Sequence, residues 1–255
     1  MTDQLLTTLE DGVLTVTFNR PEKKNALTLA MYRAATEAIT RAEDEAAIKV
    51  VVFIGAGDMF TSGNDIGDFL SIPPDSADSP VVQFLLKLVS TDIPLLAAVH
   101  GRAVGIGTTM LMHCEKVYAA EETLFSTPFI NLAVVPEAAS SLLMPKFLGY
   151  QRAASLLLFG ESMDSVAALD CGLLSAVCPA DQLLATVMAD AARIARLPKK
   201  AMRQSKRLMK RSEEPLQQRV EEEMAVFGRA LASAESKEAM SAFMEKRPAD
   251  FSKFD

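Results

Sequence analysis

The sequence has few of the side chains that build disulfides, metal centres or nucleophilic sites. It contains three cysteines and two histidines in 255 residues. An odd number of cysteines without a short paired spacing argues against a disulfide framework and favours reduced thiols. The two histidines, His100 and His113, cannot complete a metal cluster with these cysteines. We therefore expect no metal site, and we interpret both histidines as packing or supporting residues.

Long apolar runs are also missing. The longest one, residues 93–99, is far shorter than the roughly 20 residues of a membrane-spanning helix. No basic region followed by an apolar stretch opens the sequence, so we expect a cytoplasmic protein without a membrane partner. The net charge of −7 disfavours nucleic acid as the main partner. With 49% apolar residues, the chain can bury a sizeable core.

One segment departs from this acidic average. Residues 193–211 contain nine cations and no acid. They are interpreted either as a solvated helix face, balanced by the acidic residues 221–223, or as a surface that attracts a phosphorylated ligand. A non-enzymatic alternative is an RNA-binding module. The acidic net charge and the lack of interleaved aromatic residues argue against RNA binding.

Apolar runs and helical spacing alternate along the first two thirds of the chain. Strands are predicted at residues 13–18, 50–54, 95–99, 116–119 and 175–177, and helices at residues 29–43, 108–114, 138–147 and 183–194. This alternation predicts an α/β fold with parallel pairing. Only helical patterns follow Pro179. We predict a core that carries the active site, residues 1–195, and a C-terminal helical region, residues 196–255, which can cover a neighbouring subunit.

Two glycine-containing stretches, residues 60–66 and 101–107, lie where a buried strand gives way to a helix. Such turns point free peptide N–H groups at a developing negative oxygen, so the backbone is the expected catalytic tool. Two nearby glycine pairs fail to complete a dinucleotide fingerprint. The third glycine position holds Phe60 after Gly55 and Gly57, and it holds Met110 after Gly105 and Gly107. The proline-rich residues 71–80 are either a flap over the site or a plain surface linker.

Glu137 is the candidate side chain for proton transfer. It follows Pro136 at the start of a helical pattern, where a carboxylate also complements the helix dipole. The local pattern therefore supports a structural role as well. An apolar run precedes it, and apolar surroundings raise a carboxyl pKa and suit the group to proton transfer.

Several motifs occur in the order found in one enzyme family. The chain resembles the crotonase superfamily, also called the enoyl-CoA hydratase/isomerase family, from about residue 13 to the C-terminus. The motifs are Asn19-Arg20-Pro21, Lys24-Asn25-Ala26-Leu27, Ser62-Gly63-Asn64-Asp65-Ile66, Gly101-Arg102-Ala103-Val104-Gly105-Ile106-Gly107 and Ala168-Leu169-Asp170-Cys171-Gly172-Leu173-Leu174. The resemblance implies a spiral of repeated ββα units, a C-terminal helical region used in trimerisation, a homotrimer or dimer of trimers, and acyl-CoA thioester substrates.

The resemblance also implies roles for individual residues. The backbone N–H groups of Asn64 and Ile106 would form an oxyanion hole. Lys23 and Lys24 would lie near the adenine and phosphates of coenzyme A. No cofactor is expected beyond the coenzyme A of the substrate itself. The remaining candidate substrate-binding residues are Ala26, Ser62, Gly63, Asp65, Ile66 and Gly105.

Departures from the family pattern point to one branch. Hydratases of the family use two glutamates, and alignment of the glycine motifs places these positions at Thr109 and Phe129, which cannot transfer protons. The segment from Phe125 to Glu137 is similar instead to the peroxisomal-type Δ3,Δ2-enoyl-CoA isomerases, in which one glutamate, here Glu137, shuttles the proton. The resemblance thus implies isomerisation of 3-enoyl-CoA. The alternative is another crotonase-type reaction, such as enoyl-CoA hydration.

Overall fold

Two sheets form the centre of the computed structural model, which describes residues 2–65, 67–68, 79–132, 134–210, 233–245 and 247–254. The larger sheet has the order β1-β2-β3-β4-β6-β9, and the smaller one has the order β5-β7-β8. The strands are β1 (Leu5–Glu10), β2 (Val13–Phe18), β3 (Val50–Gly55), β4 (Leu95–Val99), β5 (Arg102–Val104), β6 (Lys116–Ala120), β7 (Leu124–Ser126), β8 (Ser162–Asp164) and β9 (Ala176–Cys178).

The five strands predicted from apolar runs and alternation are confirmed. They are β2, β3, β4, β6 and β9, and they pair in parallel in chain order. The prediction missed the remaining four strands. β1 pairs antiparallel with β2 and has a single buried residue, Leu5, so it carries little apolar signal. β5, β7 and β8 have three residues each, too few for a periodic pattern.

Helices cover both faces of the larger sheet. They are α1 (Leu29–Asp44), α2 (Pro80–Ser90), α3 (Ile106–Thr109), α4 (Ser140–Leu148), α5 (Tyr150–Leu157), α6 (Ser165–Asp170), α7 (Leu183–Ala195), α8 (Lys199–Met209) and α9 (Ala234–Glu245). The main core contains apolar side chains of β2 to β4 with Ile39 of α1 and Leu88 of α2. A second core joins the opposite sheet face to Val187 and Ala191 of α7.

The order of these elements repeats. A strand of the larger sheet is followed by a strand of the smaller sheet in β4–β5 and again in β6–β7, and α3 follows the first of these pairs. Downstream of β3, Thr61 forms a parallel bridge with Ala103 of β5. The structure therefore confirms the α/β class and the repeated ββα units.

Two predicted helices differ from the observed ones. The pattern over residues 108–114 is split between α3 and a 3-10 turn, Met110–His113. The pattern over residues 138–147 begins as a helix only at Ser140, because Ala138 and Ala139 have positive φ angles of 54° and 57°. The interpretation of Glu137 as a first-turn residue is therefore wrong. It lies in the loop that precedes α4.

Several cations of α8, and Lys210 directly after it, bind oxygen atoms of the protein, although the side chains of Lys200 and Arg207 stay 74% and 62% exposed. Arg203 pairs with Asp92 at 2.6 Å, and Lys206, only 4% exposed, pairs with Glu115 at 2.8 Å. Lys210 donates to the Leu88 and Thr91 carbonyls at the C-terminal end of α2, where the helix dipole favours a cation. The solvated-face prediction is thus wrong for Arg203 and Lys206, whereas Lys200 and Arg207 are exposed as it expects. Arg211 and the acidic residues 221–223 lie outside the described residues.

The boundary predicted at residue 195 coincides with the end of α7, and α8 begins four residues later. A division into residues 1–195 and 196–255 stays a prediction, as does a role of the C-terminal region in trimerisation. The described part of the C-terminal region is helical in α8 and α9.

Candidate active site

The two glycine-containing stretches lie side by side. Thr61 and Ala103 form a parallel bridge, in which the Val104 N–H donates to the Thr61 carbonyl at 3.1 Å. Asn64 in turn bridges Leu27 in parallel. Asn64 and Ile106 each lie three residues beyond the Thr61–Ala103 pair. The parallel register therefore brings the two predicted oxyanion donors to the same end of the paired segments.

Glycine is required at both turns. Gly63 has φ of 93°, and a Cβ there would lie 3.0 Å from the Val104 carbonyl oxygen. Gly105 has φ of 57° and precedes the first residue of α3. L-residues with side chains rarely adopt these angles, so glycine allows the two backbones to approach and turn. The aromatic ring of Phe129 lies 4.0 Å from the position of a Gly105 Cβ.

The peptide N–H groups of Asn64 and Ile106 have no acceptor in the described part of the chain. Ile106 is the first residue of α3, where the N–H of a helix has no intrahelical partner. The neighbouring Asp65 N–H, by contrast, donates to the Leu27 carbonyl at 2.9 Å. Two free donors in adjacent turns match the arrangement that stabilises an oxyanion.

The backbone on either side of Glu137 is fixed. The Ser140 N–H and hydroxyl donate to the Glu137 carbonyl at 2.9 and 2.6 Å. Nε2 of the buried His113 lies 2.9 Å from the Ala138 carbonyl oxygen. Ala138 and Ala139 hold left-handed conformations that L-residues avoid, and such strain often occurs at functional sites. His113 is thus a supporting residue, as predicted.

The Glu137 carboxylate has a neutral partner. The buried Thr109 hydroxyl donates to Oε1 of Glu137, and no salt bridge reaches this carboxylate from the described residues. Burial raises the pKa of Glu137 to about 7, although the Thr109 hydrogen bond acts in the opposite direction. A carboxyl with this pKa can take and return a proton near neutral pH. From the sequence, Thr109 was interpreted only as a position at which the hydratase glutamate is missing.

A tyrosine also belongs to this cluster. Tyr32 of α1 is 2% exposed, and its hydroxyl donates to the side-chain Oδ1 of Asn64. Burial and the negative charge of Glu137 both raise the pKa of Tyr32, which places the phenol within electrostatic range of that carboxylate. Sequence reasoning missed Tyr32, because its position fits the apolar face of α1.

The other predicted substrate-binding residues lie beside these turns. The Ala26 carbonyl accepts from Arg20 at 2.8 Å, and the Ser62 N–H donates to the Lys24 carbonyl at 2.9 Å. The Asp65 carboxylate accepts from Arg20 at 2.9 Å and from the Gly67 N–H at 3.1 Å, so protein groups already occupy both of its oxygens. Their contact with substrate stays a prediction. Ile66 and the predicted flap, apart from residues 79 and 80, lie outside the described residues.

Metal-binding clusters and membrane-spanning helices are both absent from the described residues. Within them, no group of three or more His, Cys, Asp and Glu side chains could hold a metal ion. None of the described helices is long and apolar enough to span a membrane.

Comparisons with known proteins identify the family. The sequence model of enoyl-CoA hydratase/isomerase matches residues 8–253. The chain belongs to the enoyl-CoA hydratase/isomerase family. It is 36% identical over 251 residues to enoyl-CoA delta isomerase 2 of Rattus norvegicus, covering 96% of this chain but 64% of the rat protein, less than two thirds of its length.

Other relatives of this family member carry different activities in their names. The chain is 30% identical over 250 residues to 2,3-dehydroadipyl-CoA hydratase of Escherichia coli, covering 97% of this chain and 98% of that protein. A solved structure from Magnetospirillum magneticum, provisionally named enoyl-CoA hydratase/carnithine racemase, is similar with a TM-score of 0.95 and 42% identity, covering 99% of this chain and 100% of that one. Overall similarity thus shows the family and the fold, whereas the choice of reaction depends on the site.

Proposed function

We propose that this protein isomerises 3-enoyl-CoA thioesters to 2-trans-enoyl-CoA. The observation that carries the proposal is the half-buried Glu137 carboxyl, held by a hydroxyl, with its pKa raised to about 7. The N–H groups of Asn64 and Ile106, which no described residue accepts from, can stabilise the intermediate, since it carries its negative charge on the thioester oxygen. The coenzyme A moiety belongs to the substrate, and no other cofactor is required.

In the proposed mechanism, the thioester oxygen binds between the N–H groups of Asn64 and Ile106. Glu137 removes a proton from C2, and the C–H electron pair becomes part of a dienolate whose charge lies on the thioester oxygen. One such donor contributes about 3 to 4 kcal/mol of transition-state stabilisation in comparable sites. The protonated Glu137 then delivers the same proton to C4. The double bond moves from C3–C4 to C2–C3, and no water is consumed.

The raised pKa of Glu137 suits both halves of this cycle. The group must be ionised to accept the C2 proton and must then release it to C4, and a pKa near 7 balances the two steps. Thr109 is 0% exposed and Phe129 is 7% exposed, so both keep water away from part of the surroundings. An apolar setting protects a dienolate from solvent protons.

Hydration is the competing reaction within the family. It needs an acid and a base that together activate and deliver water, and the resemblance places these groups at Thr109 and Phe129, neither of which has a carboxyl group. The threonine hydroxyl is engaged with Glu137, and the phenylalanine ring lies beside Gly105. These observations favour isomerisation over hydration.

Ultraviolet detection of conjugated product tests the proposal. With 3-hexenoyl-CoA, we expect turnover by the wild-type protein and a loss of about 10²-fold or more in Glu137→Gln, the range expected for removal of an acid–base group. Glu122→Gln is the matched control, because Glu122 is exposed. Equal activity of wild type and Glu137→Gln would exclude Glu137 as the base.

A second assay separates the two reactions. The same preparations receive 2-hexenoyl-CoA in water, and loss of the conjugated absorbance reports hydration. We expect isomerisation to exceed hydration clearly. Hydration that matches or exceeds isomerisation would contradict the proposal and assign the protein to the hydratases.

We propose that the protein assembles as a homotrimer or a dimer of trimers, as the family resemblance implies. Large apolar side chains are exposed between residues 130 and 169, including Val135 at 79%, Tyr150 at 72% and Phe159 at 67%. Exposed apolar surface of this kind is typical of contact sites. Light scattering coupled to size-exclusion chromatography tests this proposal, and a monomer at micromolar concentration would contradict it.

A further inference from the structure

Tyr32 has a contact that its position in the core does not require. Its ring packs against Phe84, with centroids 5.5 Å apart, which accounts for the burial of the aromatic part. The hydroxyl reaches beyond this contact to Oδ1 of Asn64, a residue 32 positions later in the chain. The same residue supplies one of the two free peptide N–H groups of the candidate oxyanion hole.

The orientation of the Asn64 amide follows from this hydrogen bond. A buried phenol needs an acceptor for its proton, and Asn64 Oδ1 is the acceptor that the described residues provide. If the amide were rotated, its NH₂ group would face the phenol, and the phenolic proton would lose its partner. A buried donor without an acceptor is unfavourable. The oxygen end of Asn64 therefore faces Tyr32.

The nitrogen end of Asn64 is then available to a bound molecule. Nδ2 makes no hydrogen bond to any described residue, and it is not among the fully buried side-chain polar atoms without a partner. Asn64 itself is half-buried. The amide thus has one end fixed in the protein and one end in contact with solvent. The pKa of Tyr32 is raised partly by the charge of Glu137, so this anchored amide belongs to the neighbourhood of the candidate base.

We infer that Tyr32 is a positioning residue for the oxyanion hole: its hydroxyl anchors the Asn64 side chain, aligns the Asn64 peptide N–H with that of Ile106, and keeps the amide NH₂ directed at the bound acyl thioester. The inference rests on the proposed function. Tyr32 itself exchanges no proton with substrate, because its proton is held by Asn64.

A double-mutant cycle tests whether Tyr32 acts through Asn64. Tyr32→Phe removes only the hydroxyl and keeps the ring, whereas Asn64→Ala removes the side chain and keeps the peptide N–H. We expect each variant to lower kcat about tenfold or more with a smaller change in KM, as for the loss of one hydrogen bond. The double variant should match Asn64→Ala, since the anchor is already lost. If the losses of kcat in the two single variants multiply in the double variant, or if kcat is unchanged in Tyr32→Phe, the inference is overturned.

Tyr118→Phe is the matched control. Tyr118 is 5% exposed, and its hydroxyl also donates to a side-chain oxygen, that of Asp190, away from the candidate site. We expect this variant to lose the buried hydrogen bond without a change in kcat. A loss of kcat equal to that of Tyr32→Phe would assign both effects to the fold and would overturn the positioning role.

A binding measurement gives a result that does not depend on turnover. Polarisation of the thioester oxygen shifts the ultraviolet absorption of bound 2-hexenoyl-CoA to longer wavelength. We expect a clear shift with wild type and Tyr118→Phe and a smaller one with Tyr32→Phe. If the shifts follow this order but no isomerase turnover is found, the proposed function is rejected and the positioning role of Tyr32 is retained. Equal shifts in all three proteins, or no binding to wild type, would overturn the inference.

Discussion

Glu137 and Asp190 are two carboxylates in different environments. Glu137 receives one hydrogen bond from a neutral hydroxyl, and its burial raises the pKa to about 7. Burial opposes ionisation of Asp190 as well, but hydrogen bonds from Lys116, Tyr118 and Arg193 outweigh it and lower the pKa to about 2.

The difference shows how one chemical group serves two purposes. A carboxylate surrounded by cations stays ionised and holds elements together, as Asp190 joins α7 to β6. The pKa of a buried carboxylate without a neighbouring cation rises toward neutral pH, so this group can gain and lose a proton there. We therefore regard the missing cation near Glu137, within the described residues, as the feature that separates the candidate site from the structural ion pairs.

The largest expected effect is on the pH dependence of stability. The pKa of Glu137 is raised from 4.5 to about 7, so its contribution is fully present below pH 4.5 and is lost as the pH rises through 7. After a discount for partial exposure, the loss is about 2 kcal/mol. Urea unfolding between pH 4.5 and 8 should show this decrease in wild type but not in Glu137→Gln.

Asp190 provides the comparison of opposite sign. Its pKa is lowered from 3.8 to about 2, so its stabilising contribution is present above pH 3.8 and is lost as the pH falls through 2. Asp190→Asn should remove this acid-side loss and leave the decrease between pH 4.5 and 7 unchanged. Parallel stability curves for wild type and Glu137→Gln would contradict the raised pKa of Glu137.

The next effect concerns the cation-paired carboxylates under α8. Asp92 is 6% exposed and binds Arg203 and Arg207, so Asp92→Asn should lower the free energy of unfolding by about 1 to 2 kcal/mol. Asp170→Asn is the control, because that carboxylate is largely exposed and pairs with Arg152; we expect a change within about 0.5 kcal/mol. Equal losses of unfolding free energy in the two variants would contradict the stronger stabilisation that we assign to the buried Asp92.

Thr109 tests the neutral partner of Glu137 directly. Thr109→Val removes the hydrogen bond that favours the ionised carboxylate, so the pKa of Glu137 should rise further. The acid limb of the kcat/KM profile, expected near pH 7, should move to higher pH, and activity at pH 7 should fall roughly fivefold to tenfold. Thr109→Ser keeps the hydroxyl and should restore the wild-type profile. An unmoved limb in the valine variant would argue against this contact.

The smallest effect is expected at the exposed pair of Lys24 and Asp58. Asp58→Asn frees Lys24, which we propose to lie near the phosphates of coenzyme A. The midpoint of thermal unfolding should not change, while KM should fall about twofold at low salt and return to the wild-type value at high salt. An unchanged KM at low salt would place Lys24 away from the phosphates.

Much of the fold could be predicted from local sequence. The parallel strands show apolar runs or, in β2, alternation, and α1 and α7 have regular apolar faces, so both types of element were found within two residues of their observed bounds. Short strands such as β5 could not be found this way, because three residues are too few to show a periodic pattern. The pairing of β5 with β7 is also a long-range contact, which local sequence does not reveal.

The candidate site was predictable in part. The positive φ of Gly63 and Gly105 fits the predicted turns, and the position of Glu137 followed from motifs and from the lack of other acids. Thr109 was predicted to be unable to transfer a proton, but its hydrogen bond to Glu137 spans 28 residues and leaves no local pattern. The same is true of Tyr32, which lies on an otherwise apolar helix face.

By itself, the sequence determined the α/β class, the parallel core strands, the family resemblance and the candidate residues, because these follow from apolar periodicity, glycine positions and motif order. The tertiary structure decided which partners these residues receive. It paired Glu137 with a hydroxyl, turned the cations of α8 onto carbonyl and carboxylate oxygens, and joined Tyr32 to Asn64. The physical reason is that burial and charge at one atom depend on residues distant in the chain, and these two quantities set its pKa.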